Sequence, residues 1–326
     1  MEIYVLLTSL IVSLLASFLF SWLFRRARHV GTDVHKPCKV EVPESVGLSI
    51  PLALLASSAL LYGSGMERAA LAFSSSVAIA ALIGFLDDFL VLKAWQKIVL
   101  GTLPSLPILA LGAYHSSPLV PLDGFARLTI VYPILLPLAF TIATNGLNMF
   151  DTHNGSMLSS SLIVASAMAG GGLMMVAAGV EEGRLATLLS LAIAGASAGL
   201  LVLNLYPARA FNGDVGSFSL GAAIAAAAVL GRVEALAVLA ALPVLLNGLL
   251  KITSVGFRER RSFERPVVVE GWFIRPRSSE GAMSLPVLIT SKVPLSEPEL
   301  VAVLSLLTGL TSLLALLTLY ATLLRL

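Results

Sequence analysis

Asp87 and Asp88 stand side by side in GFLDDFLVL, at the end of an apolar run that offers them no partner. Further along, TNGLNMFDTHNG spaces Asn145, Asn148 and Asp151 by three, so that on a helix they share one slowly rotating face. RAFNGDVGS then sets Asp214 between Gly213 and Gly216, just ahead of another apolar stretch. Carboxylates and amides in such surroundings are costly unless partnered, so these groups must face one another, a cavity or an ion. Converging carboxylate and amide oxygens are hard ligands that suit Mg²⁺, which keeps several waters and binds substrate phosphates instead of demanding a full protein cage. On this reading the aspartate pair is tolerated because a divalent cation and a polyphosphate neutralise it.

Each motif also has a plainer reading. The Asp87-Asp88 pair could cap a helix or pair with Lys93 or Lys97 at a membrane interface. Asp214 could be an N-cap with its glycines shaping the turn, where the functional reading adds a metal ligand beside backbone N–H groups aimed at phosphate; the pattern leaves both open. Asp33, Lys36, Glu44 and Ser45 in GTDVHKPCKVEVPESVG read singly as a solvated juxtamembrane loop, stiffened by Pro37 and Pro43. FRERRSFER is either an anionic-lipid anchor or a phosphate clamp, since guanidinium forks match phosphate oxygens. His153 is expected to be a loop residue, because no second His or Cys lies at ligand spacing. His29, His35 and His115 carry no functional expectation. No Ser/His/Asp triad, Walker loop or GxGxxG occurs.

The elements that must position these residues are helices in lipid. The chain has 326 residues, 57% hydrophobic and only 12% charged, against roughly 25% charged for a soluble domain, which predicts an all-α polytopic membrane protein. About 20 apolar residues span a bilayer, and about ten such windows occur, near 3–24, 46–62, 69–90, 98–114, 128–150, 157–179, 185–205, 215–230, 233–250 and 299–324; the second and eighth are short. The first is followed by FRRAR without a small-residue cleavage site, which predicts a retained helix. A single cysteine, Cys38, excludes an internal disulfide.

Ten spans put the loops near 25–45, 88–97, 151–156, 206–214 and 251–298 on one side. That side holds 16 of the 21 basic residues, so it is expected to be cytoplasmic, with both termini outside. The singled-out polar residues all fall in those loops or at that end of a span. The whole chain, 1–326, is expected to form one integral membrane domain whose only sizeable soluble part is the 251–298 loop. There RPVVVEGWFIRP pairs two β-prone runs around Glu270-Gly271, predicting a small hairpin at the membrane surface.

Taken in order, PESVG, GFLDDFLVLKAWQK, NGLNMFDTHNG and LYPARAFNGDVGS resemble the polyprenyl-phosphate N-acetylhexosamine-1-phosphate transferase superfamily over nearly the whole chain. GTDVHKPCKVEVPESVG and the long last loop are similar to its archaeal and eukaryotic branch, the UDP-GlcNAc:dolichyl-phosphate GlcNAc-1-phosphate transferases. The histidine-rich motif of the bacterial peptidoglycan branch is missing, none of the four histidines lying in that loop. The resemblance implies ten transmembrane helices, a cytoplasm-facing site, dependence on Mg²⁺ (with Mn²⁺ as a substitute) and often a homodimer. Carried over by position, Asn148 and Asp214 match the metal-holding residues, and Lys97 a lysine near the phosphates. Glu44, with Ser45 beside it, falls on the donor-site PES motif. Phe211 and Asn154 fall on positions surrounding the uracil, and Asn145 joins the substrate-binding set. Arg258 and Arg260 stand near the place of a Pro-Arg-His-Arg element, with Glu259 where its histidine would be. Thr152 and Asn154 depart from the bacterial Asn-x-x-Asn-x-x-Asp-Gly-x-Asp-Gly pattern, and Asp151 from the eukaryotic one.

The expected reaction is attack by a polyprenyl phosphate (of dolichyl type) on UDP-GlcNAc, as the first step of lipid-linked oligosaccharide synthesis for N-glycosylation. Asp87, Asp88, Lys97 and Asp214 would form the catalytic set. Three rivals stand beside it: another UDP-N-acetylhexosamine donor for surface polymers, an aspartyl phospho-enzyme route, and, in a different class, a cation-coupled transporter. Substrates and membrane are the expected partners, with no nucleic acid.

Overall fold

The computed structural model describes residues 1–36, 40–256, 267–277 and 282–325. The long helices are α1 (Glu2–Arg26), α3 (Glu67–Leu90), α6 (Val131–Phe150), α7 (Ser156–Ala177), α8 (Glu182–Asn204), α9 (Gly213–Leu230) and α13 (Glu297–Leu323). The shorter ones are α2 (Ser49–Ala59), α4 (Ala94–Leu100), α5 (Leu106–Ala110), α10 (Glu234–Ala240), α11 (Leu242–Val255) and α12 (Leu285–Thr290). Two 3₁₀ turns, Val46–Leu48 and Leu103–Ser105, and three small antiparallel hairpins, β1 (Val30–Asp33) with β2 (Val40–Pro43), β3 (Leu119–Val120) with β4 (Gly124–Phe125), and β5 (Val267–Glu270) with β6 (Phe273–Pro276), complete the regular elements among the described residues.

The protein is an all-α polytopic membrane protein. Seven described helices are long and apolar enough to cross a bilayer, and α10 with α11 makes an eighth span if its 66° bend is one broken crossing. Every expected window therefore contains helix, but the one near 98–114 is divided between α4, a 3₁₀ turn and α5. Pro104 and Pro107 explain the break, since proline removes an N–H donor and clashes with the preceding turn. The window near 46–62 yields only a 3₁₀ turn, Val46–Leu48, running into α2. A hairpin forms in the last loop, with Glu270 paired to Phe273 and Trp272 in the turn instead of the expected strand.

The core sits around α9. Eighty-nine per cent of its apolar window is buried, against 22% for α1 and 33% for α13; a helix that is apolar all round belongs inside, and α1 and α13 expose broad leucine-rich faces suited to lipid. α9 packs against α3 and α6, while α8 lies between α1 and α7. The α3–α9 crossing is close because Gly84 has no side chain: a Cβ there would lie 2.4 Å from the Asp214 carbonyl oxygen. That contact carries the last turn of α3, with its aspartates, against the first turn of α9.

Candidate active site

Four segments converge at the α3 C-terminus. Asp87 and Asp88 end α3, Lys97 lies on α4, Asn148 on the last turn of α6, and Asp214 on the first turn of α9. The Lys97 ammonium touches Asp87 Oδ2 and lies 2.7 Å from Asp214 Oδ2, joining two carboxylates 127 positions apart. Asn148 Nδ2 donates to the other Asp214 oxygen at 2.6 Å and to Ser217 Oγ at 3.0 Å. Asp87 Oδ1 accepts the Leu92 N–H at 2.7 Å, closing the end of α3.

Asp88 turns the other way. Its Oδ1 accepts the Asp214 N–H at 2.6 Å and its Oδ2 the Val215 N–H at 3.4 Å. The unpaired donors at the start of α9 are thus capped by a carboxylate from another helix, where an anion also complements the helix dipole. The local N-cap residue, Asn212, makes no capping bond and turns its Nδ2 to Asp151, and a Cβ on Gly213, at φ +67°, would lie 2.6 Å from Asp88 Oδ2. The helix-cap reading of the pair therefore describes Asp88 and the charged-site reading describes Asp87.

Three carboxylates against one lysine leave an excess of negative charge, and Asp214 keeps 30% of its side chain exposed. Among the described residues no three His, Cys, Asp or Glu side chains are gathered closely enough to hold a metal by themselves. The carboxylate of Asp214 beside the amide of Asn148 is a hard-oxygen pair of the kind that suits Mg²⁺, which typically takes one or two carboxylates and completes its shell with water and substrate.

The three residues of the Asn ladder take different partners, Asp151 lying just past the end of α6. Asn145 donates to the Thr141 carbonyl at 2.9 Å and the Lys97 carbonyl at 3.3 Å, so it seats α4 and the lysine backbone instead of joining the carboxylates. Asp151 accepts from Asn212 Nδ2 at 3.0 and 2.9 Å. Ser45, buried and at φ +57°, takes the His29 ring nitrogen at 2.9 Å, and the Glu44 carboxylate lies against Gly31. Phe211 is half-buried and tied by its backbone to Pro43 and Val46, at 2.8 and 3.0 Å. Arg258 and Arg260 lie outside the described residues.

One group differs from the sequence expectation. Asp33 and Lys36 are not solvated: Asp33 is 3% exposed, and its Oδ2 lies 2.5 Å from Lys36 Nζ and 2.9 Å from Asn154 Nδ2. Burial alone would raise the Asp33 carboxyl, but Lys36 and Asn154 outweigh it and hold it below the usual carboxylate range. The Asn154 N–H donates to Glu297 Oε1 at 2.7 Å, and His153 stacks on His35 at 4.4 Å. Burial keeps the His153 ring neutral, its pKa well below the usual imidazole value, and leaves its Nε2 with no hydrogen-bond partner. Glu297 and Asn204, whose Oδ1 accepts the Gly155 N–H at 2.9 Å, are anchors that the sequence reading missed. The signal for Glu297 was the Ser-Glu-Pro-Glu start of α13, whose Ser296–Glu299 capping box fixes that helix end.

Residues 70–232, half of the chain, match the family model described as glycosyl transferase family 4. A Saccharolobus solfataricus protein provisionally named a UDP-N-acetylglucosamine–dolichyl-phosphate N-acetylglucosaminephosphotransferase is 30% identical over 231 residues, 70% of each chain. A Sulfolobus acidocaldarius protein of the same provisional name is 27% identical over 236 residues, 70% of this chain and 71% of that one. The phospho-N-acetylmuramoyl-pentapeptide-transferase of Moorella thermoacetica is 35% identical over 199 residues, 56% of this chain and 61% of that one.

Proposed function

The chain belongs to glycosyl transferase family 4, within the polyprenyl-phosphate hexosamine-1-phosphate transferases, and from that premise we propose that it moves GlcNAc-1-phosphate from UDP-GlcNAc to a dolichyl-type polyprenyl phosphate. The observation that carries this reading is Lys97 bridging Asp87 and Asp214 beside Asn148. An acceptor phosphate oxygen attacks the β-phosphorus of the donor. The bond from that phosphorus to the bridging oxygen breaks, UMP leaves with that oxygen, and polyprenyl-diphosphate-GlcNAc remains. Such transfers need positioning and charge neutralisation more than covalent help.

Lys97, already fixed between two carboxylates, meets the negative charge that accumulates on the transferred group at little reorganisation cost. Asn148 and Asp214 would hold Mg²⁺, with Mn²⁺ able to replace it; when bound, the ion neutralises the pyrophosphate and the leaving phosphate. Asp88 keeps the first turn of α9 in place beneath Asp214. Glu44, Ser45, Asn154 and Phe211 would line the nucleoside side, and Arg258 and Arg260 the diphosphate or sugar. The acceptor phosphate is largely ionised near neutral pH, so no strong base is required. The phospho-enzyme route through the aspartate pair is disfavoured by the partners already held: both Asp88 oxygens accept backbone N–H groups, and those of Asp87 are engaged by Leu92 and Lys97.

The site faces the cytoplasm and both termini lie outside, on the charge asymmetry of the loops; N-glycan initiation is the pathway this serves. A cation-coupled transporter would hold its carboxylates at mid-depth, whereas Asp87, Asp88, Asn148 and Asp214 all sit at helix ends. Purified protein with Mg²⁺, polyprenyl phosphate and UDP-[¹⁴C]GlcNAc should place label in organic-extractable lipid with equimolar UMP, abolished by EDTA. Labelling from UDP-MurNAc-pentapeptide or UDP-GalNAc instead would reassign the donor. Folded protein that labels no lipid from any UDP-N-acetylhexosamine would overturn the enzyme reading in favour of the transporter.

A further inference from the structure

The buried Asp33–Lys36 pair, on which Asn154 rests, is given no role above. A buried ion pair is weak evidence for stability, because desolvation offsets most of its Coulombic gain; fixing an orientation is a better account of this one. An ionised carboxylate only accepts hydrogen bonds, whereas a carboxamide has one accepting and one donating end. With Asp33 Oδ2 at 2.9 Å, the Asn154 amide can turn only its nitrogen that way. Its carbonyl oxygen is then directed elsewhere, and among the described residues no donor reaches it. Asn154 cannot swing as a whole either, since its own N–H is held by Glu297 and the next by Asn204.

We propose that Asp33 is a specificity-determining positioning residue, which makes Asn154 present a hydrogen-bond acceptor to the donor's nucleobase and so selects a base with a ring N–H, as uracil has, over one with a ring-nitrogen acceptor, as cytosine has. The inference rests on the reading of the site as a nucleoside-diphosphate-sugar site. Phe211, the aromatic surface nearest in the chain to Asp214, lies three residues before it, a reach of at most about 10 Å. The Asp151–Asn212 bonds tie that segment to the loop carrying Asn154, so a nucleotide with its phosphates at Lys97 and Asp214 has its base on this side. Lys36 completes the device by keeping Asp33 ionised; a protonated Asp33 could donate to the amide oxygen and let Asn154 turn over.

The test is calorimetric affinity of the detergent-solubilised full chain for UMP and for CMP, beside donor kinetics with UDP-GlcNAc. The unaltered protein should bind UMP about 100-fold more tightly than CMP, since a buried acceptor rejects a base without the matching donor. Asp33→Asn, whose own amide accepts either orientation, should cut that ratio about ten-fold, raising KM for UDP-GlcNAc while kcat stays within about three-fold. Asp33→Ser, smaller and equally unable to dictate the amide's direction, gives the same readout should the first variant not fold. On an Asn154→Ala background Asp33→Asn should leave the ratio where it is. Equal weakening of both nucleotides, with the ratio intact, would make Asp33 merely structural and overturn the inference while leaving the transferase reading standing. Folded, unaltered protein that neither binds UMP nor transfers label defeats the donor-site reading and the inference together.

Discussion

α9 carries a charged group at each end, and the two are built differently. At its start, Asp214 and Lys97 keep 30% and 22% of their side chains exposed, and carboxylates outnumber the cation. Just past its other end, Arg232 keeps only 11%. Its guanidinium lies 2.9 Å from Glu182, 2.5 Å from the Ser117 carbonyl and 4.0 Å over the Phe125 ring, while Tyr132 donates to Glu234 close by. One end leaves charge uncompensated and accessible to a ligand; the other seals a cation against the fold. The same helix thus pays the cost of burying charge once for chemistry and once for architecture, and variants should separate the two.

The largest effect is expected at the accessible end. Asp214→Ala removes the carboxylate that holds both Lys97 and Asn148 and should lower kcat by about 10³-fold or more, with the melting temperature of the purified protein little changed. Lys97→Met should cost about 10²–10³-fold in kcat and leave two carboxylates facing each other without their cation. Lipid labelling under single-turnover conditions checks both; activity within ten-fold of the unaltered protein in either would show that the cluster is structural after all.

Asp88→Asn sharpens the division within the aspartate pair. An amide keeps an accepting oxygen for one α9 N–H but loses the charge, so stability should fall by about 1–2 kcal/mol, the range of a lost helix cap. Activity should fall about ten-fold through displacement of Asp214, with kcat affected and not donor KM. Asp87→Asn, which touches Lys97 directly, should lose far more activity for less stability. Identical profiles for the two would refute the assignment of cap and charged partner.

The comparison also shows what could be read without coordinates. Paired aspartates, an Asn ladder and FNGD stand out because each is improbable in an apolar chain, and Lys97, Asn148 and Asp214 do meet where their motifs predict. Spans were legible as windows of composition, but a window cannot see where Pro104 and Pro107 divide a helix or where α10 meets α11 at 66°. Asp33 and Lys36 misled for a physical reason: a hydrophilic loop looks solvated unless one knows that Asn154 and Glu297, more than 120 and 260 positions away, close over it. The capping box places Glu297 at a helix start without naming its partner, and Arg232 carries no local signal at all, since a single charge beside a span is ordinary.

Arg232→Met tests the sealed end. Breaking a buried ion pair costs about 3–5 kcal/mol, but Glu182 keeps 26% of its side chain exposed and can rehydrate, so about 2–3 kcal/mol is expected. Transfer by the fraction that remains folded should keep its kcat and KM. A kinetic defect without loss of stability would mean that the two ends of α9 are coupled, and the helix would have to be treated as one device.

The smallest effect is expected from Tyr132→Phe, which deletes one hydroxyl donor to Glu234 and leaves the ring, stacked at 5.8 Å on Tyr114, in place. A single hydrogen bond contributes about 1 kcal/mol net, with a further penalty when its acceptor stays buried. Arg232 lies two residues from Glu234 and remains as a neighbouring cation, so the loss should stay near that lower figure. Thermal denaturation in detergent should show a drop of a few degrees, and lipid labelling should be unchanged. A Tyr132→Phe protein as stable as the original would show that this end is held by Arg232 and Glu182 alone, and would narrow the contrast with the Asp214 end to a single ion pair.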